Sequence, residues 1–282
     1  MITLKTKIKK YVPEVIFDFL YKIKRIGIEL LDYDSLKKNK RFKNIHLGER
    51  CFILGNASSL NNHNLKKLAG EKIFSVSYGY LHPDYPTYKP QFHCLPQLTL
   101  SNADKGLNEK KASQFLNDIF KNTMGATLFL HKGIKKVNYA TKYSHRDVCF
   151  IGTSAAAKFD NKIDLTRYIY PIQSVPQMAI SVALYMGFKE IYLLGVEHDE
   201  LCSLKYEYFF NRSKIIFSDP DVDESNKLKI QRLHLFKTYV KLFEGYDRLK
   251  KIANNHGCKI YNCSSTSFLD VYSLVNFDKL FK

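Results

Sequence analysis

The chain has 282 residues, 45% of them hydrophobic, enough for one large or two small domains around a substantial core, which excludes a chain that stays disordered. Its formal net charge of +17 favours anionic partners without separating nucleic acid, phosphates and acidic lipids. Six cysteines with no CxxC pair point away from a disulfide framework or a zinc site, and no apolar run approaches the ~18 residues of a membrane-spanning helix.

The N-terminal stretch, residues 1–44, is the most basic part, with 12 Lys/Arg against 5 Asp/Glu. Ile16, Phe19, Ile23, Ile26 and Leu30 recur at helical steps, with Lys22, Lys24 and Arg25 off that stripe. Two readings stand side by side: a helix packed on the main domain or a partner subunit, and an amphipathic helix docked on an anionic membrane. Residues 34–44 read as a polar linker. No signal peptide is expected, because Lys5 to Lys10 lead into no uninterrupted apolar stretch. The expected location is therefore the cytoplasm, with a peripheral position on the inner membrane face as its variant.

From residue 45 to 282 the pattern is strand, turn, helix, repeated. "RCFILG" is a strand, "LNNHNLKKLAG" a short helix, and "KIFSVSYGYL" and "YKPQFHCLPQ" two further strands. Residues 109–121 are helical, and "TLFLH" and "DVCFIG" are strands. "VPQMAISVALYMGF" is a helix ending near Gly187, followed at once by the apolar strand "KEIYLLGVEHD". One or two long helices then run to Gly257, before the strand "CKIYNCS". This alternation predicts an α/β, Rossmann-like fold: a mostly parallel sheet flanked by helices, with a basic N-terminal helical extension.

Such sheets bind ligands beyond the carboxyl ends of their strands, here Asn56 to Ser59, the residues after Tyr78, Glu197 to Asp199 and Asn262 to Ser265. Gly55 lets the chain turn sharply and Ala57 lets a ligand approach, while Asn56, Ser58 and Ser59 offer polar groups. The turn reads either as an ordinary capped strand-to-helix connection or as a phosphate site built from backbone amides. It is neither a Walker A loop nor GxGxxG. His198 and Asp199 follow a buried strand, with Glu197 beside them. They read as a base with carboxylate neighbours or as a polar loop capping the next helix. No HxH or HExxH spacing supports a metal, and none is expected. Tyr206 and Tyr208 offer hydroxyl donors or packing. His234 sits on a long helix, as a satisfied histidine or as a base; His93 reads as structural.

"FILGNASSL", "SVPQMAISVALYMGFKEIYLLGVEHD" and "KIYNCSSTSFLDVYSLVNFDKLF" together resemble the bacterial sialyltransferases of glycosyltransferase family 42 and the related MptE-like proteins of surface-polysaccharide gene clusters. The resemblance spans roughly residues 48–282 and leaves the basic segment outside. It implies one Rossmann-like domain, metal-independent, taking a CMP-activated sugar as donor and needing no other cofactor. By the same resemblance Gly55, Asn56, Ala57, Ser58 and Ser59 form the donor loop. Ser174, Gly195 and Glu197 line the donor site, and Tyr206 steadies the leaving phosphate, with Asp199 where a second tyrosine would stand. His234 is the best match to the catalytic base, and His198 occupies a position typical of the MptE-like branch. Ser77 and Leu95 stand where family 42 has donor-binding asparagines.

The expected activity is transfer of a sialic-acid-like or Kdo-like sugar to a glycan or lipid-linked glycan acceptor, with a homo-oligomer as a possible assembly. The alternative is an MptE-like pyrophosphokinase using ATP and Mg²⁺. A nucleic-acid binder is not expected, since no RRM, zinc finger or helix-turn-helix pattern is present.

Overall fold

In the computed structural model, the described residues are 32–95, 105–136, 145–154, 161–211, 230–264 and 266–282, together with positions 16, 23, 27, 157, 225 and 227. β1 (Arg50–Leu54) shows how the sequence builds the core. Its side chains alternate: Cys51 and Ile53 enter one apolar cluster, Phe52 and Leu54 another, and all four are buried. A strand apolar on both sides belongs inside a covered parallel sheet. Each such large side chain taken from water contributes about 1.5–3 kcal/mol. β6 (Glu190–Leu194) repeats the alternation with Ile191 and Leu193 against Tyr192 and Leu194.

The other strands among the described residues are β2 (Lys72–Val76), β3 (Phe92–Leu95), β4 (Thr127–His131), β5 (Val148–Ile151), β7 (Lys259–Asn262) and β8 (Ser273–Leu274). They form one eight-stranded sheet in the order β5-β4-β3-β2-β1-β6-β7-β8. All seven pairings are parallel, so the sheet is parallel throughout. The chain runs outward from β1 to β5, then returns to add β6 on the other side of β1. That reversal leaves a crevice at the carboxyl ends of β1 and β6.

Among the described residues three long helices cover the sheet: α1 (Lys105–Asn122), α2 (Val175–Met186) and α3 (Arg232–Asn255). α2 and α3 pack on the Cys51–Ile53 side, and α1 belongs to a separate cluster with Tyr78, Leu95 and Leu128. Of the segment read as one or two helices, Arg232–Asn255 is a single helix.

"LNNHNLKKLAG" departs from expectation. It forms two 3-10 turns, Ser58–Asn62 and Leu65–Leu68, in place of an α-helix. The Asn64 side chain accepts from the Lys66 amide and starts its own turn, the local competition that makes asparagine a poor helix former. The two-residue β8 is too short for any periodicity to announce it.

Residues 34–44 also differ from the linker reading. Leu36, Asn39 and Phe42 are buried, and the Asn39 amide donates to the carbonyls of Phe150 and Leu165, 2.8 Å each. Phe42 meets Phe129 edge to face. Most of the expected helix stripe before residue 32 lies outside the described residues. Ile16 and Ile23 are helical and exposed. No helix among the described residues is long and apolar enough to cross a membrane.

Candidate functional site

The turns after β1 and β6 meet closely. A Cβ on Gly55 would lie 2.0 Å from the Gly195 carbonyl oxygen, so only glycine fits. Gly195 has φ +66° and faces Leu60, whose Cγ would sit 2.6 Å from a Cβ there. Above this contact opens a cavity of about 390 Å³, within the ~300–1,000 Å³ range of small-molecule sites.

Of the residues expected at the site, Gly55, Asn56, Ala57, Ser77, Ser174, Gly195, Glu197, His198 and Tyr206 line this cavity. Ser58, Ser59, Asp199 and His234 are not among its lining residues. His234 is exposed on the first turn of α3, beside the exposed Leu233 and Phe236. Asp199 precedes the one-turn helix Glu200–Ser203, and its carbonyl accepts from the amides of Cys202 and Ser203. Leu95 is core.

The expected amide nest after β1 is changed by its own neighbours. The amides of Gly55, Ala57 and Ser58 donate to the carbonyls of Leu194, Gly195 and Glu207, at 2.8, 3.2 and 3.1 Å. Neither serine caps the following turn. The Ser59 hydroxyl donates to the buried Glu197 carboxylate, which Ser264 also holds by a side-chain hydrogen bond. Glu197 thus ties together the loops after β1, β6 and β7. Its pKa is raised by burial, a shift that the serine hydrogen bonds oppose. What the turn offers a ligand is Asn56. With its amide nitrogen toward the carbonyls of Val76 (3.1 Å) and Gly55 (3.2 Å), its Oδ1 remains an acceptor.

Residues 206–210 lie along this turn. Ala57 pairs with Tyr208 in an antiparallel bridge, and the Phe209 amide donates to the Asn56 carbonyl at 3.1 Å. Extended backbone sets alternate side chains on one face. Tyr206, Tyr208 and Phe210 accordingly form a ladder, with centroids 6.0 and 5.1 Å apart and planes within 10° of parallel. Tyr206 and Tyr208 border the cavity.

Two non-glycine residues at the cavity adopt the left-handed conformation, Ser77 (φ 47°) and His198 (φ 56°). Such positions cost about 1–3 kcal/mol each and persist only when neighbours fix them. Ser77 is held by its amide to the Cys94 carbonyl (3.0 Å) and by His93 Nε2 donating to its own carbonyl (3.0 Å). Burial lowers His93 to about 3, so it is neutral and structural, as the sequence implied. His198 is lowered by burial to about 4, and its Nε2 lies 2.8 Å from the Tyr246 hydroxyl. That hydroxyl is 2.9 Å from Ser174 Oγ, which accepts from the Gln177 amide as the N-cap of α2. The neutral His198, Tyr246 and Ser174 thus form one hydrogen-bonded chain that ends at a helix start.

Sequence reasoning missed Glu200 and Tyr239. Both line the cavity, and the Tyr239 hydroxyl donates to Glu200 Oε2. Burial lifts Glu200 to about 7, against the lowering effect of that hydrogen bond. Its signal was present in the run "EHDE", but only the one-turn helix after Asp199 aims the last glutamate at α3. Among the described residues no group of three or more His, Cys, Asp and Glu is arranged to hold a metal ion. The described lining contains neither lysine nor arginine.

No family model and no curated protein sequence matches the chain. Solved structures similar in shape include the following two. The MAf glycosyltransferase from Magnetospirillum magneticum AMB-1 is 17% identical, with a TM-score of 0.45 over 86% of this chain. This chain spans 38% of that protein's length. The sialyltransferase CstII from Campylobacter jejuni, in complex with the substrate analogue cytidine-5'-monophosphate, is 17% identical with a TM-score of 0.44, covering 82% of this chain and 88% of its own.

Proposed function

We propose that the chain is a glycosyltransferase that binds a CMP-activated sialic-acid-like or Kdo-like sugar in the cavity beyond β1 and β6. It would pass the sugar to a glycan acceptor in cell-surface polysaccharide synthesis. The observation that carries this reading is the cavity's make-up at the sheet's point of reversal. A tyrosine ladder borders it, Asn56 lines it with an amide whose oxygen is left as an acceptor, and a carboxylate of near-neutral pKa faces it. The resemblance of the loop and late-strand motifs to family 42 supports the same reading.

In this mechanism the bond between the anomeric carbon and the donor phosphate oxygen breaks, and CMP leaves with the electron pair. Hydroxyls of Tyr206 and Tyr208, both at the cavity wall, donate to the departing phosphate. Neutral donors suit a lining without described cations. The acceptor hydroxyl attacks the anomeric carbon and gives its proton to Glu200. A base with a pKa of about 7 has substantial free carboxylate at neutral pH and still binds a proton well. We assign this role to Glu200 because it lines the cavity, whereas His234 is outside its lining. His198 and Tyr246 position Ser174 and the start of α2. No metal takes part in this reaction. A lipid-linked acceptor, with the protein peripheral on an anionic membrane, fits the net charge of +17.

A thermal-shift panel with CMP, CDP, UDP, GDP and ATP, with and without Mg²⁺, tests the reading. CMP is expected to raise the melting temperature without metal. Asn56→Ala and Tyr208→Ala should reduce that gain. Glu200→Gln should keep it while losing turnover. Stabilisation by ATP only in the presence of Mg²⁺ would replace this reading with the pyrophosphokinase one, and indifference to every nucleotide would overturn both.

A further inference from the structure

A second cavity, of about 300 Å³, lies between residues 162–172 and the α2–α3 pair. The first turn of α2 separates it from the nucleotide cavity: Ser174 to Pro176 line the other, whereas Gln177 and Ser181 line this one. On α3 the division falls between Leu242, which lines the other, and Gly245. Gln177 closes the wall, its amide donating to the Leu242 carbonyl at 2.7 Å. The two cavities are therefore separate compartments sharing one partition.

Its chemistry differs from that of the first. Ile163, Ile169, Ile172, Leu249 and Ile252 give it an apolar floor. Lys162, Arg167 and Arg248 stand around it, and the Arg248 guanidinium stacks on the Tyr170 ring at 3.6 Å. The one carboxylate among the described lining residues, Asp164, accepts from the amide and hydroxyl of Thr166 at 3.0 and 2.6 Å, within its own turn. An apolar interior under a cationic rim is complementary to a molecule with an apolar body and an acid group at one end. A volume near the lower end of the range for ligand sites restricts that molecule to a compact one.

We propose that this cavity is a second binding site, for a compact organic anion whose apolar body rests on the isoleucine floor and whose acid group meets Arg248. The site does not depend on the glycosyltransferase reading. Because Gln177 belongs to α2, whose N-cap Ser174 lines the nucleotide cavity, an occupant here rests on the same helix start that the first site uses.

The probe is 8-anilinonaphthalene-1-sulfonate, titrated into the full chain and read by fluorescence. The expected result is saturable binding at one molecule per chain that CMP does not displace. Arg248→Gln should weaken it about tenfold, the scale of a lost charge-assisted contact. Ser181→Leu, which fills the cavity, should abolish it. Melting curves establish that each variant is folded, and if Ser181→Leu is not, the partly exposed Arg248→Gln decides alone. Competition separates two sources of the same chemistry: displacement by phenyl phosphate assigns an aromatic body, displacement by octanoate an aliphatic one, and either supports the site. Unchanged probe affinity in Arg248→Gln, or binding that neither anion displaces, overturns the proposal.

Discussion

Replacing Glu200 by glutamine separates the charge of this carboxylate from its packing, because the amide oxygen still accepts from Tyr239. Burial raises Glu200 from 4.5 to about 7. A group held above its unfolded value gives its full stabilisation below the unfolded pKa and loses it as pH rises through the folded one. The window therefore runs from 4.5 to about 7. At about 1.4 kcal/mol per unit the whole shift would be about 3 kcal/mol. Glu200 is partly exposed, and solvent screening reduces this to about 1.5 kcal/mol. The buried histidines act in the opposite sense. Burial lowers His63, His82, His93, His131 and His198, so what they contribute is present above their unfolded value and lost as pH falls. The wild-type profile mixes both effects, and only its difference from Glu200→Gln isolates the carboxylate. Urea unfolding at several pH values is the assay. From about pH 5 to about pH 8 the variant should gain about 1.5 kcal/mol relative to wild type. A difference that stays flat across that range would refute the claim that this carboxylate is buried and neutralised by its surroundings.

Gly55→Ala forces a Cβ to within 2.0 Å of a main-chain oxygen of Gly195, and neither backbone has room to yield. It should cost more than about 2 kcal/mol in chemical denaturation and abolish nucleotide binding. Asn39→Ala strips two carbonyls of a buried donor, and a loss of about 1–3 kcal/mol is expected in the same assay. A neutral result would return residues 34–44 to the status of a linker. His234→Ala changes an exposed side chain outside the cavity lining, so calorimetry should show CMP affinity within about twofold of wild type. A larger change would bring α3's first turn into the site.

The sheet was legible because its signal is local. Cys51-Phe52-Ile53-Leu54 and Ile191-Tyr192-Leu193-Leu194 are continuous apolar runs bounded by glycine, and only a sheet covered on both faces buries such runs. The strand-end rule then pointed to Asn56 and Glu197, whereas Ser77 entered only through the family resemblance. The same patterns failed where side chains make local bonds, as at Asn64, and where a polar stretch hides one buried amide, as at Asn39.

By itself, then, the sequence determined the parallel α/β sheet and the edge at which its loops gather, since both follow from hydrophobic periodicity and glycine placement along the chain. Only the tertiary structure decided what those loops do with their polar groups. Residues far apart in sequence turned the amides after β1 inward, set Glu197 to tying loops and aimed Glu200 at Tyr239. Hydrogen bonds and burial between distant segments set such roles, and they leave no periodic trace in the order of the amino acids.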